Sequence, residues 1–211
     1  MQYFLEHLAT CVSAISGVLS ARGKRVDLFG VVVLALVTAL GGGTLRDTIL
    51  DLRPVFWVDD SSYVVTATLC ALATFFIARF WTSLSPLADW ALQLADAASL
   101  ALFTLVGTEK AMSAGVPPVV GMAMGVITGT AGGMIRDTLV GEIPMVFRRQ
   151  IYLYATASLA GAAVFVGLRG MLESNLLRLL AIFTVFGLRL AAIWWKIYLP
   201  AFEPKENLHQ G

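Results

Sequence analysis

Gly42-Gly43-Thr44-Leu45-Arg46-Asp47-Thr48 returns ninety residues later as Gly132-Gly133-Met134-Ile135-Arg136-Asp137-Thr138. The correspondence extends outward at the same offset, pairing Pro54 with Pro144, Gly17 with Gly107, and the acid Glu6 with the acid Asp96. One such match is ordinary. A whole set at one offset, each at the same place relative to a long apolar run, marks an internal duplication.

The composition says what is duplicated. Of 211 residues, 58% are apolar and 14% charged, with a net charge of +1 and a mean hydropathy of +0.79. A soluble domain is about 45–50% apolar and about 25% charged. At about 20 residues per span, seven spans need about 140 residues and leave only short loops. A secreted disulfide scaffold, a disordered chain and an ordinary cytosolic enzyme are excluded. The charge balance supplies no basic face for nucleic acid. Cys11 and Cys70 lie in apolar runs and read as small packing residues. His7 and His209 sit near opposite ends of the chain, and no Cys/His spacing points to a metal, so neither metal nor cofactor is expected. No basic stretch precedes the first apolar run, and Glu6 interrupts it, so it reads as a span rather than a cleaved leader. Walker, His-Glu-x-x-His and Gly-x-Ser-x-Gly patterns are absent from the sequence, and the reading is not an enzyme.

Seven apolar runs cover 3–21, 26–45, 63–80, 86–106, 117–135, 151–168 and 176–197. In lipid a lone segment satisfies its backbone only as a helix. The expected fold is therefore an all-α membrane protein of seven transmembrane helices. It divides into a first three-helix repeat (1–85), a second (86–170) and a seventh helix with a short tail (171–211). Three spans per repeat thread the second copy through the membrane in the opposite sense, giving an inverted 3+3 repeat. Tyr3, Phe56, Trp57, Tyr63, Trp81, Trp90, Trp194, Trp195 and Tyr198 fall near the ends of spans, as an interfacial aromatic belt requires. Lys and Arg set the orientation. With the N-terminus outside, Arg22, Lys24, Arg25, Arg79, Arg136, Arg148, Arg149, Lys196 and Lys205 lie inside, against Arg46, Arg53, Lys110, Arg169 and Arg178 outside. Nine against five favours N-out, C-in.

The glycines and the buried charges are the candidate functional residues. Gly41, Gly42 and Gly43, and the run from Gly129 to Gly133, let a helix kink, unwind or approach another backbone closely. Their recurrence in corresponding spans reads as a hinge; a close-packed small-residue face is the plainer alternative. Arg46 with Asp47, and Arg136 with Asp137, are expected to find partners elsewhere in the fold, because neighbours on a helix do not face each other. They would stand at the two mouths of a pathway, or else anchor helix ends or pair between repeats. Glu6, Thr10, Ser13, Gly17 and Ser20 share one face of span one, and Gln93, Asp96, Ser99, Thr104 and Gly107 form a weaker stripe on span four. Asp96 is about ten residues deep, where an acid is a functional candidate by default. Arg189 in span seven is the other deep charge, a gating or structural partner.

Two three-span units, each with a Gly-Gly-x-x-Arg-Asp signature, followed by a seventh span, resemble the prokaryotic trimeric intracellular cation (TRIC) channel family. The resemblance runs from about residue 5 to residue 198. It implies a homotrimer in a bacterial inner membrane with one pore in each protomer. It implies conduction of monovalent cations (K+ and Na+, chiefly K+), with spans two and five bent at Gly41, Gly42, Gly43, Gly132 and Gly133. The same duplicated domain also carries the name glycine transporter, which keeps a small-solute carrier open as the alternative. Membrane lipids are expected partners, although Glu109-Lys110-Ala111 does not reproduce the Lys-Glu-Val motif that eukaryotic members use for lipid.

Overall fold

A computed structural model describes residues 1–79, 85–148 and 153–197. Trp81, Arg149, Tyr198, Lys205 and His209 lie outside the described residues. The described chain is all helical: α1 (Gln2–Ser20), α2 (Leu28–Ile49), the single turn α3 (Phe56–Asp59), α4 (Ser62–Arg79), α5 (Ser85–Ser113), α6 (Pro118–Leu139), a 3-10 turn (Met145–Phe147), α7 (Tyr154–Gly167) and α8 (Ser174–Trp195). Six of the helices are long and apolar enough to cross a membrane. The sixth expected span is represented by α7, whose 14 described residues reach about 21 Å at 1.5 Å each, short of a hydrocarbon core of about 30 Å.

Helix ends follow local chemistry. Asp27 caps α2, its carboxylate accepting from Gly30 N at 2.8 Å, and Glu173 caps α8 by accepting from Leu176 N at 3.0 Å. Both acids satisfy an orphan N–H at the positive end of a helix. Pro118 opens α6, where a missing N–H costs nothing. Helix α5 runs seven residues past the expected end at 106, because Glu109 and Lys110 each have an acid–base partner across the bundle and need not reach water.

Helix α5 lies at the centre against α1, α6, α7 and α8, while α2 packs on α1, α4 and α6. One apolar cluster joins α1, α2 and α4 through Ala14, Val18, Leu34, Ala35, Ala39, Tyr63, Ala67 and Ala71. A second joins the start of α1 to α5, α7 and α8 through Leu5, Ala9, Leu102, Phe103, Phe165 and Leu177. Alanine dominates the seams because helices in lipid gain chiefly from close approach of their backbones. Large apolar side chains face outward instead, among them Phe29, Leu69, Phe76, Phe183 and Trp194. This inversion of the usual inside-out pattern is what a lipid solvent selects.

Candidate functional site

The glycines place the site. Helices α2 and α6 stay helical through Gly41–Gly43 and Gly129–Gly133, so neither is unwound at those positions. Their glycines form a contact. A Cβ at Gly42 would collide with the Thr128 carbonyl oxygen, and one at Gly132 would collide with the Thr38 carbonyl oxygen. The two collisions are reciprocal at the ninety-residue offset. Thr38 and Thr128 each turn the hydroxyl back to a carbonyl of their own helix, Leu34 O and Met124 O, both at 2.6 Å. Gly17 and Gly107 do the same job at α1–α2 and α5–α6, where a Cβ would meet Ala35 Cα at 2.7 Å and Thr128 Cβ at 2.6 Å respectively.

Beyond each glycine contact lies a buried arginine–aspartate pair. Arg46 and Asp47 are 1% and 2% exposed, and Arg136 and Asp137 are 1% and 3% exposed. The expectation that chain neighbours cannot pair is corrected here. Arg46 Nε donates to Asp47 Oδ1 at 2.7 Å, and Arg136 Nε donates to Asp137 Oδ1 at 2.9 Å. The long arginine stem curls back over the last turn of its helix, and burial makes any closer partner worth that bend, since an unpaired buried charge costs several kcal/mol, of order 3–5. The other oxygen of each aspartate ties down the returning loop: Asp47 Oδ2 accepts from Phe56 N at 3.0 Å, and Asp137 Oδ2 accepts from Met145 N at 2.8 Å. Each aspartate thus fixes the first turn of the short helix that follows its span.

The two pairs have different company. Around Arg136, Nη1 donates to Asp96 Oδ1 at 2.9 Å and to Ser16 Oγ on α1. Tyr154 Oη donates to the same Asp96 oxygen at 3.3 Å. Asp96 Oδ2 is buried, has no hydrogen-bond partner among the described residues and faces Arg189 Nη2 at 4.0 Å. The Arg189 guanidinium lies over the Tyr154 ring, 4.7 Å from its centroid. The structure therefore brings Asp96, Arg136, Asp137 and Arg189 into one buried network from α5, α6 and α8.

Glu6 belongs to the other end of the bundle. Its carboxylate accepts from Tyr63 Oη at 2.5 Å and lies 3.3 Å from Lys110 Nζ. Lys110 and Arg46 both approach the Phe56 ring, at 5.5 and 5.6 Å. A cavity of about 320 Å³ opens here between Asp47, Asp59, Asp60, Lys110, Phe56 and Tyr63. Its carboxylates outnumber its single ammonium. At its rim, hydrogen bonds from Ser62 hold Asp60 below the usual carboxylate range, so it is charged at neutral pH.

Among the expected residues, Glu6 and Asp47 stand together at one end, and Asp96, Arg136, Asp137 and Arg189 at the other. The stripe on α1 is interior: Thr10 donates back to Glu6 O at 2.9 Å, and Ser13 donates across to Thr38 O at 3.1 Å. Tyr63, Tyr154, Ser16, Phe56 and Lys110 were not singled out as site residues by the sequence. Tyr63, counted with the interfacial belt, is 4% exposed and sits inside the site. Tyr3, Trp90, Trp194 and Trp195 do face outward as a belt requires.

Known proteins match this chain over most of its length. A family model described as "Glycine transporter" matches residues 3–79 and 93–170. The UPF0126 inner membrane protein YadS of Escherichia coli is 43% identical over 209 residues, 97% of this chain and 98% of its own. A UPF0126 membrane protein of Vibrio cholerae is 43% identical over 202 residues, 95% of this chain and 82% of its own. The solved TRIC trimeric intracellular cation channel orthologue of Rhodobacter sphaeroides superposes with a TM-score of 0.85 at 38% identity, covering 93% of this chain and 98% of that one. The chain belongs to the TRIC family. A prokaryotic TRIC channel solved in 0.5 M KCl matches with the same TM-score at 30% identity, covering 94% of this chain and 98% of the other. In this TRIC chain both Gly-Gly-x-x-Arg-Asp segments fold the same way: the first glycine lies against the opposite helix, the second faces an aromatic side chain (Phe56 or Tyr154), and the buried arginine is clamped by its own aspartate.

Proposed function

We propose that this TRIC family member is a cation channel of a bacterial inner membrane. It is a homotrimer with one pathway in each protomer, passing monovalent cations and chiefly potassium. The observation that carries the reading is the pair of buried charge networks, one at each end of the α2–α6 contact, with a carboxylate-rich cavity leading to the first. Carboxylates with little competing positive charge favour cations. The likeness to solved trimeric cation channels supports conduction and the trimer, and the YadS name supports the inner membrane.

In this reading the segments 1–85 and 86–170 are inverted copies, 171–211 adds a seventh helix, and α7 completes the set of seven spans. The reciprocal Gly42–Thr128 and Gly132–Thr38 contacts support the two-fold relation. The N-terminus is outside and the C-terminus inside. Gly41, Gly42, Gly43, Gly132 and Gly133 let α2 and α6 flex against each other as a hinge. Arg46 and Arg136 are gate tethers held by Asp47, Asp96 and Asp137, and Glu6, Asp96 and Arg189 flank the path.

The test is electrical. Purified protein in planar bilayers with a potassium gradient is expected to give discrete current steps reversing near the potassium potential. Asp96→Asn is expected to lower single-channel conductance while Asp59→Asn, at the rim, changes it less. Full conductance in Asp96→Asn would remove that residue from the path. A second reading, a carrier for a small zwitterion such as glycine, is favoured by the family model's description. Silent bilayers combined with saturable glycine uptake into liposomes would establish it.

A further inference from the structure

At the end of the bundle remote from Glu6, a cavity of about 350 Å³ opens between the end of α1, the start of α2 and the end of α4. Its walls are apolar, with Val31, Phe75 and Ala78 among them, and its rim carries Arg22, Lys24 and Arg79. No acid lines it. Lys24 is committed to Glu142 at 2.6 Å, but Arg22 and Arg79 have no hydrogen-bond or ion-pair partner among the described residues. The cavity opens where the chain leaves the apolar spans, so its greasy floor lies at acyl-chain depth and its guanidiniums at headgroup depth. Exposed Phe76 and Ile77 continue the apolar surface down α4 from the same place.

We infer that this cavity binds one anionic phospholipid, its phosphate held between Arg22 and Arg79 and its glycerol and upper acyl carbons against Phe75, Ala78 and Val31. Charge complementarity decides the class of lipid. A zwitterionic headgroup would bring a fixed ammonium to a rim with two uncompensated guanidiniums. A guanidinium pairs with phosphate through parallel N–H donors, which suits two arginines converging on one group. The site belongs to the first repeat alone, so it does not depend on the ion pathway.

The experiment is native mass spectrometry of the detergent-purified full chain titrated with dioleoyl phosphatidylglycerol, dioleoyl phosphatidylcholine or soluble glycerol phosphate. Each basic residue at an anionic surface contributes about fivefold in affinity. Phosphatidylglycerol is therefore expected to bind in excess over phosphatidylcholine, and Arg22→Gln/Arg79→Gln to weaken it by about 25-fold. Arg53→Gln, which removes a charge at the other end, is expected to bind as wild type. Ala78→Trp keeps both arginines but fills the floor, and is expected to lose the lipid as well, so the proposal does not rest on one variant's folding. Equal binding of the two lipids, or full phosphatidylglycerol binding by Ala78→Trp, would overturn it. Displacement of the lipid by glycerol phosphate at equal concentration would overturn it in favour of a free-phosphate site.

Discussion

Arg136 ties three helices together through one side chain. Its guanidinium is 1% exposed and reaches Asp96, Asp137 and Ser16 at once, drawing together α1, α5 and α6. Removing it takes the cation from Asp137 and leaves Asp96 only the more distant Arg189, and breaking such a buried network costs about 3–5 kcal/mol. Arg136→Gln is expected to lower the thermal melting point of the detergent-solubilised protein by on the order of 10 °C for a chain of this size. Arg136→Lys should lose less, because the charge stays while the planar fork is lost. Melting of Arg136→Gln with the wild type would mean that the network does not carry stability. Asp47 and Asp137 have a second task at this scale, since each holds a backbone N–H of the turn that follows. Their place directly after an arginine is thus explained by two partners rather than one.

Between elements, α2 and α6 meet backbone against backbone. The contact rests on glycine because each collision at Gly42 and Gly132 is with a backbone oxygen that has nowhere to swing. Gly42→Ala and Gly132→Ala should therefore part the helices. Overpacking of this kind costs about 1–3 kcal/mol, and each variant is expected to melt several degrees below wild type. Gly187→Ala is the control, since a Cβ there meets nothing within 4 Å. If Gly42→Ala matched Gly187→Ala, the two helices would not be in backbone contact. The same variants report on the hinge, because a change in open probability at unchanged conductance separates flexing from packing.

Across the whole molecule, the ends of the two halves are joined by charge outside the apolar spans. Glu142, in the loop after α6, meets Lys24 from the α1–α2 loop at 2.6 Å and Arg148 at 3.3 Å. The hydrogen bond and charge of Lys24, with help from Arg148, hold Glu142 below the usual carboxylate range. An acid depressed in the folded state contributes its stability above its unfolded pKa of about 4.3, and that contribution is lost as pH falls through the lower folded value. The group is solvent-exposed, so the effect is on the strap rather than on global unfolding. Spin labels on the two loops are expected to keep a short, narrow distance at neutral pH and to broaden only in acid, as pH falls through the lowered Glu142 value. Glu142→Gln should show the broad distribution at every pH, and a narrow distribution in that variant would remove the strap.

Period, length and repetition were enough for part of this. In lipid a backbone must close its own hydrogen bonds, so apolar runs of span length are helices whatever surrounds them, and six of the seven expected segments are span-length helices. The ninety-residue offset named the glycines, both Arg-Asp pairs, Glu6 and Asp96 before any coordinate, because duplication leaves its mark in residue identity. The partners were a different matter. That Tyr63 serves an acid rather than an interface, that Tyr154 reaches Asp96, and that Lys110 meets Glu6 across 104 positions depend on which faces of separate helices meet. A helical period fixes the face on which a residue lies but not the helix it meets. Only the tertiary structure chose those partners, because burial raised the cost of leaving each charge alone.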